Sequence, residues 1–530
     1  MKSGTSATKD MKITYATMSA DQMEDLHRAI DEEIPKVKAA FGQSWPMHID
    51  GRLVKSDQEF DDRSPIDTDI LLGRFQSGTR EHVREAIAAA RAAYPAWSAL
   101  PWQQRVTALR KVADTIREHR WELSVLMGFE AGKNRLECVG DVEESADLIA
   151  YYCDQVEQNQ GFVKPMNTLG PGEQNSSVLR SYGVWAVIAP FNFPLALAAG
   201  PSGGALVAGN TVVFKPASDT PYIGLRLAES MAEAGIPRGV FNFVTGGGGS
   251  VGQELIDNDG IDGIVFTGSM EVGMKLIRDN ARRPAPRPVI TEMGGKNPTL
   301  VMRSADLEKA SDGVWRSAFG AQGQKCSACS RVYIAKDVRD RFVEMLVQKT
   351  RQIKIGNPLE RDVWMGPVIN EGAVKTFERA IAQAKADGGR ILIGGRRLKG
   401  PEYDRGYFVE PTIIDGLPVN HPLFSEELFV PITVIGDVIS IDEAIQLANS
   451  TQYGLTAGIF SEDDKEIEKF FDQVQAGVLY ANRRSGATTG AWPGINPFGG
   501  WKASGSSGRG TGGPYYVQQF MREQSRVRIR

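Results

Sequence analysis

The sequence predicts an α/β fold of parallel sheets wrapped by helices, and three observations carry that prediction. Short apolar runs ended by proline or glycine alternate with amphipathic stretches. The alternation restarts near Pro298 as a second series. At 530 residues and 42% apolar content, the chain can bury cores for two or three domains.

The elements follow in order. Residues 80–100 place Val83, Ile87, Ala90 and Tyr94 at helical spacing. "GVWAVIAP" (183–190) and "NTVVFKP" (210–216) read as buried strands. "ASDTPYIGLRLAESMAEAGIP" (217–237) is a helix with a polar start and a glycine-proline exit. "GVFNFVTG" (239–246) and "GIVFTGS" (263–269) supply a third and a fourth strand. "PTLVM" (298–302) opens the second series, which continues through a helix at 338–353. Strand, helix, strand, helix implies a parallel sheet wrapped by helices, an α/β domain.

Composition narrows the function. A net charge of −4 and a pI near 5.9 point away from nucleic acid and anionic membrane surfaces. The start "MKSGTSATKDMK" lacks the apolar core of a signal peptide. Four cysteines do not make a disulfide framework in this length, so a reducing cytoplasm is expected. Residues 181–214 carry no charge and are long enough to imitate a membrane span. Pro190, Asn192, Pro194, Gly200 and Pro201 interrupt them, as a buried strand, loop, helix and second strand would require.

Two stretches invite chemistry. "VTGGGGSVG" (244–252) follows a strand and precedes a helix start, where glycine lets a backbone approach a phosphate. Its spacing is not G-x-G-x-x-G, and a flexible turn reads equally well. "GQKCSACSR" (323–331) holds two thiols three residues apart: a metal clip, a redox pair, or one nucleophile with a neighbour. A structural zinc needs four ligands, but the five histidines are isolated and no second C-x-x-C exists, so no metal is expected. A buried, inert cysteine is the plain alternative. Against it, Lys325 adjoins Cys326 in a polar run, which predicts a lowered thiol pKa. "GPSGG" (200–204) fits a hydrolase elbow with His421 downstream, yet its flanks lack a clear strand-turn-helix.

Over nearly its whole length, from about Met47, the chain resembles the aldehyde dehydrogenase superfamily. The resemblance rests on "PFNFP" (190–194), "VFKPASDTP" (213–221), "FTGS" (266–269), "TEMGGKNP" (291–298), "GQKCSACSR", "EELFVP" (426–431) and "NPFGGWKASG" (496–505). The separations of Glu292 from Cys326 and of Asn192 from Lys215, 34 and 23 residues, also look like those of the family.

The resemblance implies roles that aldehyde oxidation requires. Cys326 is the nucleophile that forms a thiohemiacetal and then a thioester, with Cys329 as packing. Asn192 donates to the oxyanion together with the Cys326 backbone N–H. Glu292 is the base that activates the hydrolytic water. Lys215 holds cofactor ribose hydroxyls, Glu427 the nicotinamide ribose, and Phe429 packs beside the nicotinamide. Pro190, Phe191 and Gly294 belong to the same cofactor contact, and Ser269 meets the pyrophosphate at a helix start. Ser218 stands where NAD-selective relatives often carry Glu, and it leaves room for a 2′-phosphate. The cofactor is therefore NAD or NADP, with NAD favoured. Phe191 replaces the tryptophan of many relatives.

"KCSACSR" and "SGATTGAWPG" (485–494) most resemble the 1-pyrroline-5-carboxylate (glutamate γ-semialdehyde) dehydrogenases. By that likeness Ser327 and a Gly-Ala pair hold the substrate α-carboxylate. Gly486-Ala487 and Gly490-Ala491 compete, and counting back from Phe498 favours Gly490 and Ala491. Phe193 and Phe498 line the aliphatic part, and Glu137 is placed near the substrate amine. Trp492 and Pro493 depart from the small aliphatic residues expected there, and Asn496 from a glutamine. A bulky Trp492 could reshape the tunnel mouth, so an aromatic or longer aliphatic aldehyde stays open. A non-catalytic structural role of the same fold is the other alternative, and it would tolerate loss of Cys326, Glu292, Asn192 and Lys215, all of which are present.

The implied architecture has a Rossmann-type nucleotide-binding domain at 47–160 and 183–291, after an extension at 1–46. An α/β catalytic domain spans 292–496 and a return segment 497–509. Oligomerisation strands come from 161–182 and 510–530. A homo-oligomer, dimer or higher, is expected.

Overall fold

The computed structural model describes residues 20–530. Two seven-stranded sheets organise them. In the first, the order is Val289–Glu292, Gly263–Thr267, Val184–Ile188, Thr211–Lys215, Phe241–Phe243, then the hairpin Met47–Ile49 and Arg52–Val54. The first five pair in parallel; the hairpin joins antiparallel through Phe243 and His48. These strands read as near-continuous apolar runs because helices cover both faces. On one face lie Ala196–Val207 and Pro221–Glu233, and on the other Arg80–Ala99 with Val83, Ile87 and Ala90 buried.

The second sheet runs Arg390–Ile393, Thr412–Asp415, Ile432–Val438, Cys329–Ala335, Asn297–Val301, Thr456–Phe460 and Val478–Ala481. Only the Arg390–Ile393 edge is antiparallel. Glu292 ends the edge strand of the first sheet, and the chain enters the second at Asn297. The segment after Phe498 turns back along this crossover. Ser504 accepts the Met293 N–H through its carbonyl, and Ser504 Oγ donates to the Gly294 carbonyl at 2.7 Å.

A three-stranded antiparallel sheet stands apart, with Glu173–Ser181 between Val163–Met166 and Met521–Ile529. The tail is thus a nine-residue strand on an outer edge.

The apolar stretch resolves as strand, loop, helix and strand, and among the described residues no helix is long and apolar enough to cross a membrane. The hydrolase elbow is absent: Ser202 is fully buried inside the helix Ala196–Val207. His421 instead pairs its Nε2 with Asp387 at 2.9 Å.

Candidate active site

The loop before Cys326 is held in a shape that helix would not allow. Ala321 and Gln322 both take left-handed backbone angles (φ 47° and 58°), followed by Gly323 at 68°. Such strain persists only where neighbours over-determine it. Here the Ala321 N–H donates to Glu137 Oε1 at 2.8 Å and Gln322 Nε2 to the Gly132 carbonyl at 3.0 Å. Beyond it, Asn297 Nδ2 donates to the carbonyls of Cys326 (2.7 Å) and Ala328 (2.9 Å). Asn297 was missed in the sequence reading, although it stands within "TEMGGKNP".

The two thiols part ways. Cys329 starts a strand of the second sheet, fully buried, with Sγ 3.1 Å from Thr299 Oγ1. Cys326 keeps partial exposure and lines a cavity of about 600 Å³. The expectation of a lowered thiol pKa is wrong. Burial pushes Cys326 up to about 12, and the nearby carboxyls of Glu427 and Glu292 add to it. Lys325 does not offset this, because its ammonium pairs with Glu137 at 3.2 Å.

That pair engages only one oxygen of Glu137, whose Oε2 is buried without a hydrogen-bond partner among the described residues. Glu137 lines the cavity, and its Oε1 is shared between Ala321 N–H and Lys325. Two turns further along the helix Arg135–Gln158, Glu144 lines the same cavity. Among the described residues no group makes a hydrogen bond or ion pair with it. Burial, then the Asp141 charge, raises its pKa to about 8 against the charges of Lys133 and Lys325. The available signal was a row of carboxyls at helical spacing, Glu137, Asp141 and Glu144, on one helix.

Phe193, Cys326, Ser327, Gly490, Ala491 and Phe498 all line this cavity. Ser327 is fixed through its carbonyl, which accepts Thr488 Oγ1 at 2.7 Å. Gly490 has φ +103°, a conformation suited to glycine, and Arg483 Nη2 donates to its carbonyl at 2.8 Å. Gly486 and Ala487 are buried beside the helix Leu307–Phe319 and do not line it, the Ala487 N–H donating to the Gly313 carbonyl. Trp492 does not obstruct the mouth as its bulk suggested. Its indole is only 7% exposed and donates to Asp147 Oδ2 at 2.8 Å, so it lies against the wall.

Asn192 is buried next to Phe193, and its backbone carbonyl accepts Lys133 Nζ at 3.1 Å. Glu292 is buried at the end of its strand. Burial raises its pKa to about 8, partly offset by the Gly500 backbone N–H. Glu427 accepts the Gly295 N–H at 2.8 Å, and burial lifts it to about 7 against that bond and Lys296. A Cβ on Gly294 would lie 1.9 Å from Glu427 Oε2, so only glycine admits the carboxylate there. Phe429 holds a left-handed φ of 58° and packs edge-on against Phe191, which follows Pro190, with centroids 5.8 Å apart.

The remaining cofactor candidates gather at the carboxyl ends of the first sheet. Lys215 is buried, its Nζ donating to the Pro216 carbonyl at 2.9 Å, and desolvation lowers its pKa to about 8. Ser218 is exposed just beyond it. The glycine loop forms one wide turn, Gly248–Gly252, then the short helix Gln253–Asp257. Gly248 and Gly249 are exposed, and a Cβ on either would meet no protein atom. Packing therefore does not demand glycine there, whereas close approach of a dinucleotide would. Ser269 caps the helix Met270–Ala281, its Oγ accepting the Val272 N–H at 3.4 Å.

A thiol lining an open cavity, with a buried carboxyl near it and cofactor candidates at the carboxyl ends of a parallel sheet, defines an oxidoreductase acting on aldehydes. The chain belongs to the aldehyde dehydrogenase family, whose profile matches residues 53–525. It is 36% identical over 507 residues to a 1-pyrroline-5-carboxylate dehydrogenase of Geobacillus sp., covering 95% of this chain and 96% of that one. The crystal structure of a Thermus 1-pyrroline-5-carboxylate dehydrogenase with bound NAD superposes with a TM-score of 0.92 at 32% identity, covering 98% and 100% of the two chains. An NADP-dependent enzyme of E. coli superposes at 0.86 and 33%, covering 93% and 99%.

Proposed function

We propose that this enzyme oxidises L-glutamate γ-semialdehyde, the open form of 1-pyrroline-5-carboxylate, to glutamate in proline catabolism. The observation that carries this reading is the pairing of opposite recognition groups around one cavity. Ser327 with the Gly490 and Ala491 backbone suits a carboxylate, and the Glu144 carboxyl with the unpartnered Glu137 Oε2 suits an ammonium.

Cys326 Sγ forms a bond to the aldehyde carbon while its proton leaves to a base. The carbonyl oxygen becomes an alkoxide, which accepts hydrogen bonds from the Asn192 amide and the Cys326 backbone N–H. The bound NAD or NADP supplies the hydride acceptor. Lys215, Glu427, Ser269, Phe429, Pro190, Phe191 and Gly294 would hold it, with Ser218 leaving the 2′ position open to either cofactor. Once oxidised, the adduct is a thioester. Glu292 takes a proton from water, the water oxygen attacks the acyl carbon, and the carbon–sulfur bond breaks to expel the Cys326 thiolate, which takes back the proton from Glu292. The likeness to an NAD-bound relative favours NAD.

A panel of aldehydes assayed with both cofactors tests the substrate. The semialdehyde should have the highest kcat/KM; a preference for benzaldehyde would overturn the reading. The cavity volume exceeds what so short a substrate fills, which favours a longer or aromatic aldehyde as the second reading.

A homo-oligomer is part of the proposal. Strand Met521–Ile529 is an open edge, and Met166, Val527 and Ile529 on that sheet, with Leu169 on its connecting loop, are more than half exposed. Edges of this kind are covered by another chain or charged. Light scattering should give a dimer or larger, and a monomer at micromolar concentration would count against it. Four free cysteines fit a cytoplasmic site of action.

A further inference from the structure

The loop that carries Gly490 and Ala491 is fastened on two sides by different bodies. Toward its start it belongs to the catalytic half. The Thr488 N–H donates to Ser317 Oγ (3.1 Å), Thr488 Oγ1 to the Ser327 carbonyl, and Arg483 to the Gly490 carbonyl. Past Gly490 these ties stop. The next fixed point is Trp492, whose indole N–H crosses to Asp147 Oδ2 at 2.8 Å. Asp147 lies on Arg135–Gln158, a helix packed on the nucleotide-binding half, and is itself paired with Arg117 of the neighbouring helix Trp102–Glu118. The Trp492 carbonyl then accepts the N–H groups of Ile495 and Asn496, both at 3.0 Å.

We propose that Trp492 and Asp147 latch the carboxylate loop across the two halves of the molecule, making Trp492 a positioning residue for carboxylate-bearing aldehydes. The physical argument concerns freedom. Gly490, at φ +103°, is a hinge that gives the following backbone little stiffness. Two N–H groups can serve an anion only when held within a fraction of an ångström of the right direction. A small aliphatic residue at 492 would pack but could not donate. Trp492 adds one directional bond to a charged acceptor, placed two residues after the hinge. The link to substrate rests on the semialdehyde reading above; the fastening of the loop does not.

The test uses the full-length enzyme with Trp492→Phe, which keeps ring bulk and removes the donor, and with Asp147→Ala and Asp147→Asn. Hydrogen exchange of backbone amides in residues 488–496 should quicken about tenfold in Trp492→Phe and Asp147→Ala. In both, KM for the semialdehyde should rise roughly tenfold with kcat within about twofold. Asp147→Asn, which keeps an acceptor oxygen, should recover most of both. Unchanged exchange in Trp492→Phe, or equal KM rises for the semialdehyde and propanal, would overturn the latch as a positioning device. Faster exchange in an enzyme whose wild type ignores the substrate carboxylate would leave the fastening intact and remove the substrate reading instead.

Discussion

Lys325 and Glu137 form an ion pair of 3.2 Å at the cavity wall, and the cation next to the nucleophile is thereby committed to a carboxylate. Cys326 is left with its burial and with two acidic neighbours, which push its thiol up to about 12. The free enzyme therefore carries a protonated thiol near neutral pH. Its alkylation by iodoacetamide should be slow at pH 7 and rise about tenfold per pH unit toward pH 10. A plateau near pH 7 would show a thiolate and refute the assignment. Cys326→Ala should abolish dehydrogenase activity, whereas Cys329→Ala, which changes a packed side chain beside Thr299, should retain most of it.

Glu292 gives a prediction with a sign in pH. Its carboxyl is raised from 4.5 to about 8 in the folded protein. Between those values the unfolded chain has lost the proton and the folded chain keeps it, so this group lowers stability as pH rises to 8 and no further above. Glu292→Gln should remove that loss, giving ~3–5 kcal/mol more stability relative to wild type at pH 9 than at pH 5. Thioester hydrolysis should fall ~10²–10⁴-fold while the first-turnover burst persists in stopped flow. A vanished burst would assign Glu292 to the earlier step, and an unaltered stability difference would contradict the raised carboxyl.

Periodicity exposed the elements because both sheets are buried on two faces, so their strands stand out as apolar runs cut by proline and glycine. The motifs likewise placed Phe193, Cys326, Ser327, Gly490 and Ala491 on one cavity. Electrostatics were not legible. Lys325 precedes Cys326 in the chain, yet which carboxylate takes its ammonium depends on the helix Arg135–Gln158, nearly 190 residues away. The direction of Trp492 was hidden for the same reason: its partner Asp147 is 345 residues distant. Glu144 was missed because an acidic run, Asp141, Glu143, Glu144 and Asp147, reads as a solvated helix face until the cavity beside it is seen.

Gly294 and Glu427 should prove inseparable. The carboxylate occupies the space a Cβ at 294 would need, with 1.9 Å between them. Gly294→Ala must displace Glu427 from its bond to the Gly295 N–H and from the ribose it is proposed to hold. The apparent Kd for NAD should rise about tenfold or more, the cost of one charge-assisted hydrogen bond. Calorimetric titration reads this directly, with the thermal unfolding midpoint as a control on the rest of the fold. Unchanged NAD affinity would remove Glu427 from the cofactor contact.

Ser327 decides between a carboxylate anchor and a turn cap. Its carbonyl is already engaged by Thr488 Oγ1, and its side chain faces the same cavity as Gly490 and Ala491. If the hydroxyl donates to the substrate α-carboxylate, the bond lies several atoms from the reacting carbon and acts by orienting it. A hydrogen bond to a charged group contributes ~1.5–3 kcal/mol, so Ser327→Ala should lower kcat/KM for the semialdehyde roughly tenfold to over a hundredfold. Propanal has no carboxylate to lose, and its kcat/KM should hardly move. A hydroxyl that only caps the turn after Cys326 would disturb the nucleophile itself and slow both aldehydes alike. Parallel kinetics on the two substrates separate these outcomes, and equal losses would discard the anchor.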